Sequence, residues 1–124
     1  MAKGKMDEVL ENFRKEIQGF ISCDVVNISD GLSIGGGSID PKFDASIAAA
    51  YYATVASAYV KTCHAIDKTM EPEDMLITTD QMLLLMRVIA NNNYFFGLAV
   101  TPDSNLAMCR LIMKKYEDEI VKAI

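Results

Sequence analysis

One histidine and three cysteines, widely separated, are all that this sequence offers in thiolate or imidazole metal ligands. No ligand spacing links them, so a zinc-type centre is not expected. Basic residues are also short, 12 against 17 acidic, for a net charge of −5. That balance argues against a nucleic-acid or anionic-membrane surface. A long hydrophobic run is missing too. The longest charge-free stretch, residues 45–60, holds two Ser, a Thr and three Tyr. It is too short and too polar to insert in a membrane. The N-terminus lacks the pattern of a signal peptide, and the odd number of cysteines suggests no disulfide framework. Cys23, Cys63 and Cys109 therefore read as buried, reduced thiols of a cytoplasmic protein.

What is present is an ordinary globular composition, 51% hydrophobic and 23% charged over 124 residues. That length suits a single domain, residues 1–124, burying roughly two-thirds of its unfolded surface. The stretch from Asp40 to Asp67 dominates it. Asp40 and Pro41 read as a helix start, and more than twenty residues without Gly or Pro follow. At 100° per residue, Ser46, Ser57, Lys61, His64 and Lys68 share one narrow polar strip. Tyr51, Tyr52, Val55, Tyr59 and Ile66 form one apolar flank; Ala45, Ala49, Ala53, Ala56, Val60 and Cys63 form the other. The apolar arc spans roughly 240°, far beyond the ~100° stripe of a helix resting on one core. Such a helix covers two surfaces, its own sheet and something else.

The other elements follow from their periodicities. Met6, Val9, Leu10, Phe13 and Ile17 mark one helical face, and Gly19 ends that helix. Phe20–Ile28 and Leu32–Ile39 read as strands joined at Ser29-Asp30-Gly31. After Glu71-Pro72-Glu73-Asp74 come a short strand Met75–Thr78 and a longer one, Met82–Ala90. Asn91-Asn92-Asn93 makes a turn, and a strand Tyr94–Val100 follows. The last two strands are apolar on both faces, so both faces are covered. Thr101-Pro102-Asp103-Ser104 caps a final helix running to about Lys122, with Leu106, Cys109, Ile112, Met113, Tyr116 and Ile120 on its apolar stripe. The order α-β-β-α-β-β-β-α with short strand connections predicts an α+β fold, a five-stranded antiparallel sheet with helices on both faces.

From about Met6 to Ile120 the chain resembles the roadblock / dynein light chain superfamily. The resemblance rests on four stretches: the Ser29-Asp30-Gly31-Leu32 hairpin, the Ala-rich helix after Phe43, the strand Tyr94-Phe95-Phe96-Gly97-Leu98-Ala99-Val100, and Pro102-Asp103-Ser104-Asn105-Leu106-Ala107 opening the last helix. Gly35-Gly36-Gly37 departs from the pattern. That superfamily includes bacterial and archaeal regulators of small GTPases. The resemblance implies a profilin-like sandwich that dimerises into one continuous sheet beneath a pair of central helices. Its implied partner is a Ras-like small GTPase, a motor or scaffold complex containing one, or a roadblock paralogue.

The residues themselves point to assembly rather than chemistry. Ala48, Tyr52, Val55 and Tyr59 with Met75 and Ile77 on the edge strand are the expected contacts of a homodimer. Ser46, Ala50, Ser57, Lys61 and His64 are the expected partner-binding platform. Cys63 and His64 diverge by about 100° on a helix, so they cannot act as a nucleophile–base pair. Gly35-Gly36-Gly37-Ser38 lacks the lysine of a phosphate-binding loop, and close packing or an irregular edge strand explains it better. The acidic groups Glu71, Glu73 and Asp74, and Glu117, Asp118 and Glu119, read as solvated charges. No cofactor is implied and no catalytic constellation stands out. The competing reading is a small-molecule sensor with a pocket between sheet and helices, for which Ser22, Asp24 and Asn27 are the inward polar groups.

Overall fold

The computed structural model describes residues 4–40 and 45–124. The elements run α1 (Lys5–Glu16), β1 (Phe20–Asn27), β2 (Ser33–Ser38), α2 (Ala45–Ile66), β3 (Asp74–Thr78), β4 (Leu83–Ile89), β5 (Tyr94–Val100) and α3 (Leu106–Ala123). All strand pairs are antiparallel, and the sheet order is β2-β1-β5-β4-β3. The expected architecture is therefore present, with β3 on one edge and β2 on the other. The expected start of the central helix at Pro41 lies outside the described residues.

The two faces of the sheet carry unequal cores. On one, α1 and α3 lie over the side chains of alternate strand positions. Phe13, Val25, Leu85, Phe96, Leu98, Val100, Met113 and Ile120 are almost wholly buried there. Phe13 sits edge-on to Phe96 with ring centroids 4.8 Å apart, and edge-on to Tyr116 at 5.7 Å. Each of these phenylalanines stabilises the fold by about 2–3 kcal/mol through burial alone. The other face is thinner. Here α2 rests on Val26, Met86 and Phe95 through Ala49, Ala53 and Ala56. Alanine at these positions lets the helix come close to the sheet, at the cost of apolar area buried per residue. The strands β4 and β5 feed both cores, which is why they are apolar on both sides.

Gly35 and Gly36 are explained by packing. A Cβ on Gly35 would stand 2.6 Å from Met6 Cγ, so the missing side chain is what lets α1 lie across β2. Gly36 has φ 131°, and a Cβ there would lie 2.1 Å from the Cys23 carbonyl oxygen. The register slips between Val25 and Val26, leaving Ile34 as the extra residue of a bulge. Gly35 and Gly36 thus serve a closely packed, irregular edge strand, whereas a Cβ on Gly37 would meet nothing within 4 Å.

One local expectation needs correction. The cap of α3 is Asn105, whose side-chain oxygen accepts from the Met108 N–H at 3.0 Å, and not the Thr101–Ser104 segment. Thr101 and Ser104 instead bond to one another across the preceding turn, 3.0 Å apart. In the β4–β5 turn the left-handed residues are Ala90, Asn91 and Asn92. Asn93 closes the turn by donating its N–H to the Ala90 carbonyl at 3.1 Å.

Candidate interaction surface

The helix α2 has four longitudinal bands. Ala49, Ala53, Ala56 and Cys63 are buried against the sheet. Ala48, Tyr52, Val55 and Tyr59 are half-buried. Tyr52 and Val55 join Met75 and Ile77 of β3 on the margin of the thinner core. Tyr59 donates its phenol O–H to the Asp74 carbonyl at 2.9 Å. Tyr52, Val55, Tyr59, Met75 and Ile77 thus gather beside the β3 edge, while Ala48, one turn before Tyr52, lines the narrow space between α2 and the sheet.

The expected platform residues lie on the opposite flank of the same helix. Ser46, Ala50 and Lys61 are exposed, while Ser57 and His64 are half-buried. Ala50, Ser57 and Lys61 line a groove of about 420 Å³ whose other wall is the β1–β2 turn from Ile28 to Gly31. His64 lies near Glu71, in the loop after α2. Its Nε2 makes no hydrogen bond and lies 3.7 Å from Glu71 Oε1. The outermost band is neither flank. Ile47 is 58% and Tyr51 74% exposed, and Thr54, Ala58 and Thr62 continue the same line. Tyr51 thus stands apart from Tyr52, because adjacent helical residues diverge by about 100°.

Other charges prove less solvated than expected. Asp74 lies directly across from Arg87 in the β3–β4 register, with Arg87 Nη1 4.0 Å and Arg110 Nε 3.2 Å from its Oδ2. Arg87 also donates to the Glu117 carboxylate. Glu16 accepts from the Tyr116 phenol and from Lys115 Nζ, and these bonds hold its carboxyl below the usual range. The same bond to Glu16 pushes the Tyr116 phenol up to about 12. All three arginines lie away from α2: Arg87 and Arg110 as above, and Arg14 over the Phe20 ring at 5.2 Å.

The space between α2 and the sheet is small. About 30 Å³ is open there, lined by Ser22, Asp24, Ala48 and Tyr52 among others, which is room for one water. Ligand sites are typically ten-fold larger or more, about 300–1,000 Å³. Ser22 is buried, and Asp24, held by the Ser33 hydroxyl at 3.0 Å, is half-buried. Burial pushes the Asp24 carboxyl up to about 6, against the pull of Ser33. Asn27 is occupied otherwise, its Oδ1 accepting from the N–H and hydroxyl of Ser29 at 2.9 and 2.7 Å. A broad groove of about 1120 Å³ lies on the far face between the α1–β1 turn and α3, remote from α2.

The thiols are not poised for chemistry. All three cysteines are free and buried. Burial first, then the neighbouring Asp24, pushes Cys23 up to about 12, and burial also raises Cys109. Among the described residues no group of three or more His, Cys, Asp or Glu is placed to hold a metal ion, and no helix is long and apolar enough to cross a membrane.

A five-stranded antiparallel sheet in the order 2-1-5-4-3, with α2 on one face and α1 and α3 on the other, is the roadblock fold. Among solved structures, Myxococcus xanthus MglB superposes with a TM-score of 0.82 over 95% of this chain and 93% of that one, at 18% identity. The gliding protein MglB of Thermus thermophilus gives 0.80, covering 96% and 87%, at 16% identity. A Roadblock/LC7 domain from Streptomyces avermitilis gives 0.72, covering 92% of each chain, at 14% identity. No family profile and no curated protein matches the sequence. At these identities the likeness is one of fold.

Proposed function

We propose that this chain is a single-domain, non-enzymatic homodimeric interaction module, a regulator or scaffold of a Ras-like small GTPase or of a motor complex containing one. The observation that carries this reading is the seam where half-buried Tyr52, Val55 and Tyr59 adjoin Met75 and Ile77 on an open strand edge. A two-fold copy would cover both at once, β3 pairing with β3 and α2 lying beside α2. The MglB-like fold and the resemblance to roadblock GTPase regulators support the choice of partner, and with it a cytoplasmic setting. A roadblock paralogue is an alternative second protomer. No arginine lies on α2, so the effect on a GTPase would come from ordering that protein's own switch loops rather than from an inserted arginine.

In such a dimer the surface left to the partner is Ser46, Ala50, Ser57, Lys61 and His64, joined by Ile47, Tyr51 and Thr54 between them. The test is capture of a GTP-loaded Ras-like GTPase from the same organism on immobilised protein. Lys61→Glu should change stability by no more than about 0.5 kcal/mol, as is usual for surface positions. It should weaken capture, with the loss depending on salt, because charges at the rim steer association. Unchanged capture by Lys61→Glu, with capture abolished by Lys114→Glu on the outer face of α3, would move the docking surface to the far side of the sheet. The purified chain alone should neither bind nor hydrolyse GTP; stoichiometric nucleotide released on denaturation would overturn the purely protein-binding reading.

A further inference from the structure

The edge strand β3 is only five residues long and is paired on one side alone. Short edge strands are weakly held and fray readily. Yet the first residue of β3 is gripped from both faces of the sheet. On the α2 face, the Tyr59 phenol donates to the Asp74 carbonyl at 2.9 Å. On the α3 face, the Asp74 carboxylate meets Arg110 Nε at 3.2 Å and Arg87 Nη1 at 4.0 Å. Arg87 is in turn fixed by Glu117 of α3. The side chains of Arg87 and Asp74 are mostly shielded, 16% and 21% exposed, so these contacts are screened less than surface pairs.

The alternation of β3 explains the arrangement. Met75 and Ile77 turn toward α2, while Asp74 and Leu76 turn toward α3. One residue can therefore offer its backbone to α2 and its side chain to α3. We propose that Asp74 is the positioning residue of the β3 edge, and that the outer face, through Arg110 and Arg87, sets how well that edge pairs with a second copy. The inference deepens the dimer reading and rests on it for its effect on assembly; its effect on the strand does not. A surface about as far from the seam as the sheet is thick thus acts on assembly without touching the partner. Anything that draws Arg110 away from Asp74, such as an anionic group docked on α3, would loosen the edge.

The test uses the full chain with Arg110→Ala, Arg110→Lys, Tyr59→Phe, the double variant combining Arg110→Ala with Tyr59→Phe, and Lys114→Ala as an outer-face control. Two measurements are made: hydrogen exchange of the amides of residues 74–78, and the dimer Kd by sedimentation equilibrium. Arg110→Ala and Tyr59→Phe should each speed exchange in β3 about five-fold, the scale of one hydrogen bond or partly shielded ion pair. Both should weaken the dimer by a similar factor. Arg110→Lys should recover part of each effect, and Lys114→Ala should show neither. The double variant should fall short of the product of the singles, because both arms act through one residue. Unaltered β3 exchange in Arg110→Ala would overturn the proposal. Exchange that accelerates as expected in a chain that sediments at 13.7 kDa throughout would uphold the strand clamp and defeat the dimer reading instead.

Discussion

Tyr52→Glu is expected to turn the proposed dimer into a folded monomer. Tyr52 lies in the seam, half-buried at the margin of the thinner core, and partial burial already raises its phenol pKa. A carboxylate there would be buried in the dimer without a cation, since among the described residues the seam is apolar apart from the tyrosine hydroxyls. Such an uncompensated charge costs about 3–5 kcal/mol. A loss of about 4 kcal/mol raises Kd roughly a thousand-fold. Light scattering coupled to size exclusion at micromolar concentration should then read 13.7 kDa, where the parent chain and Lys61→Glu read twice that. Circular dichroism establishes that the variant is folded. Because Tyr52 also packs within its own chain, Ile77→Lys on the edge strand probes the same seam from a second element. Dimers that persist in both folded variants would place the contact elsewhere.

The seam and the platform differ in how well the sequence announces them. Helical geometry puts Ala48, Tyr52, Val55 and Tyr59 on one line, and the short strand ending at Thr78 reads as an edge, so their meeting could be inferred without coordinates. The wheel does not say which arc the sheet takes. Three alanines, Ala49, Ala53 and Ala56, hold the buried centre, while the larger Ile47 and Tyr51 stand in solvent. A ranking by side-chain size assigns those faces the other way, because close approach to the sheet selects small residues over greasy ones. The ion pairs were illegible for a different reason. Asp74, Arg87 and Glu117 are far apart in sequence, and only the β3–β4 register and the seating of α3 bring them together. Periodicity and turn chemistry are local, and they carried the fold; long-range pairings need the register itself.

Asp24→Asn is expected to stabilise the chain at neutral pH and to flatten part of its pH profile. The Asp24 carboxyl is pushed from its ordinary 3.8 to about 6, chiefly by burial beneath α2. An acid with a raised folded-state pKa holds its proton more tightly when folded. Its ionisation therefore costs nothing below about pH 4, costs progressively more between about 4 and 6, and imposes a constant penalty above that. The full shift corresponds to about 3 kcal/mol, which the remaining solvation of this half-buried group reduces to about 1–2 kcal/mol. Asparagine keeps an oxygen for the Ser33 hydroxyl and has no charge to bury. Urea unfolding should find Asp24→Asn more stable by about 1–2 kcal/mol at pH 7.5 and equal to the parent near pH 4. Glu16 and Asp67, both held below their usual range by hydrogen bonds, pull the parent's profile the opposite way at low pH. They are present in both chains, so the difference between the two profiles isolates Asp24. A difference that does not change between pH 4 and 7.5 would mean that Asp24 is solvated in the native state and that α2 does not seal the space above it.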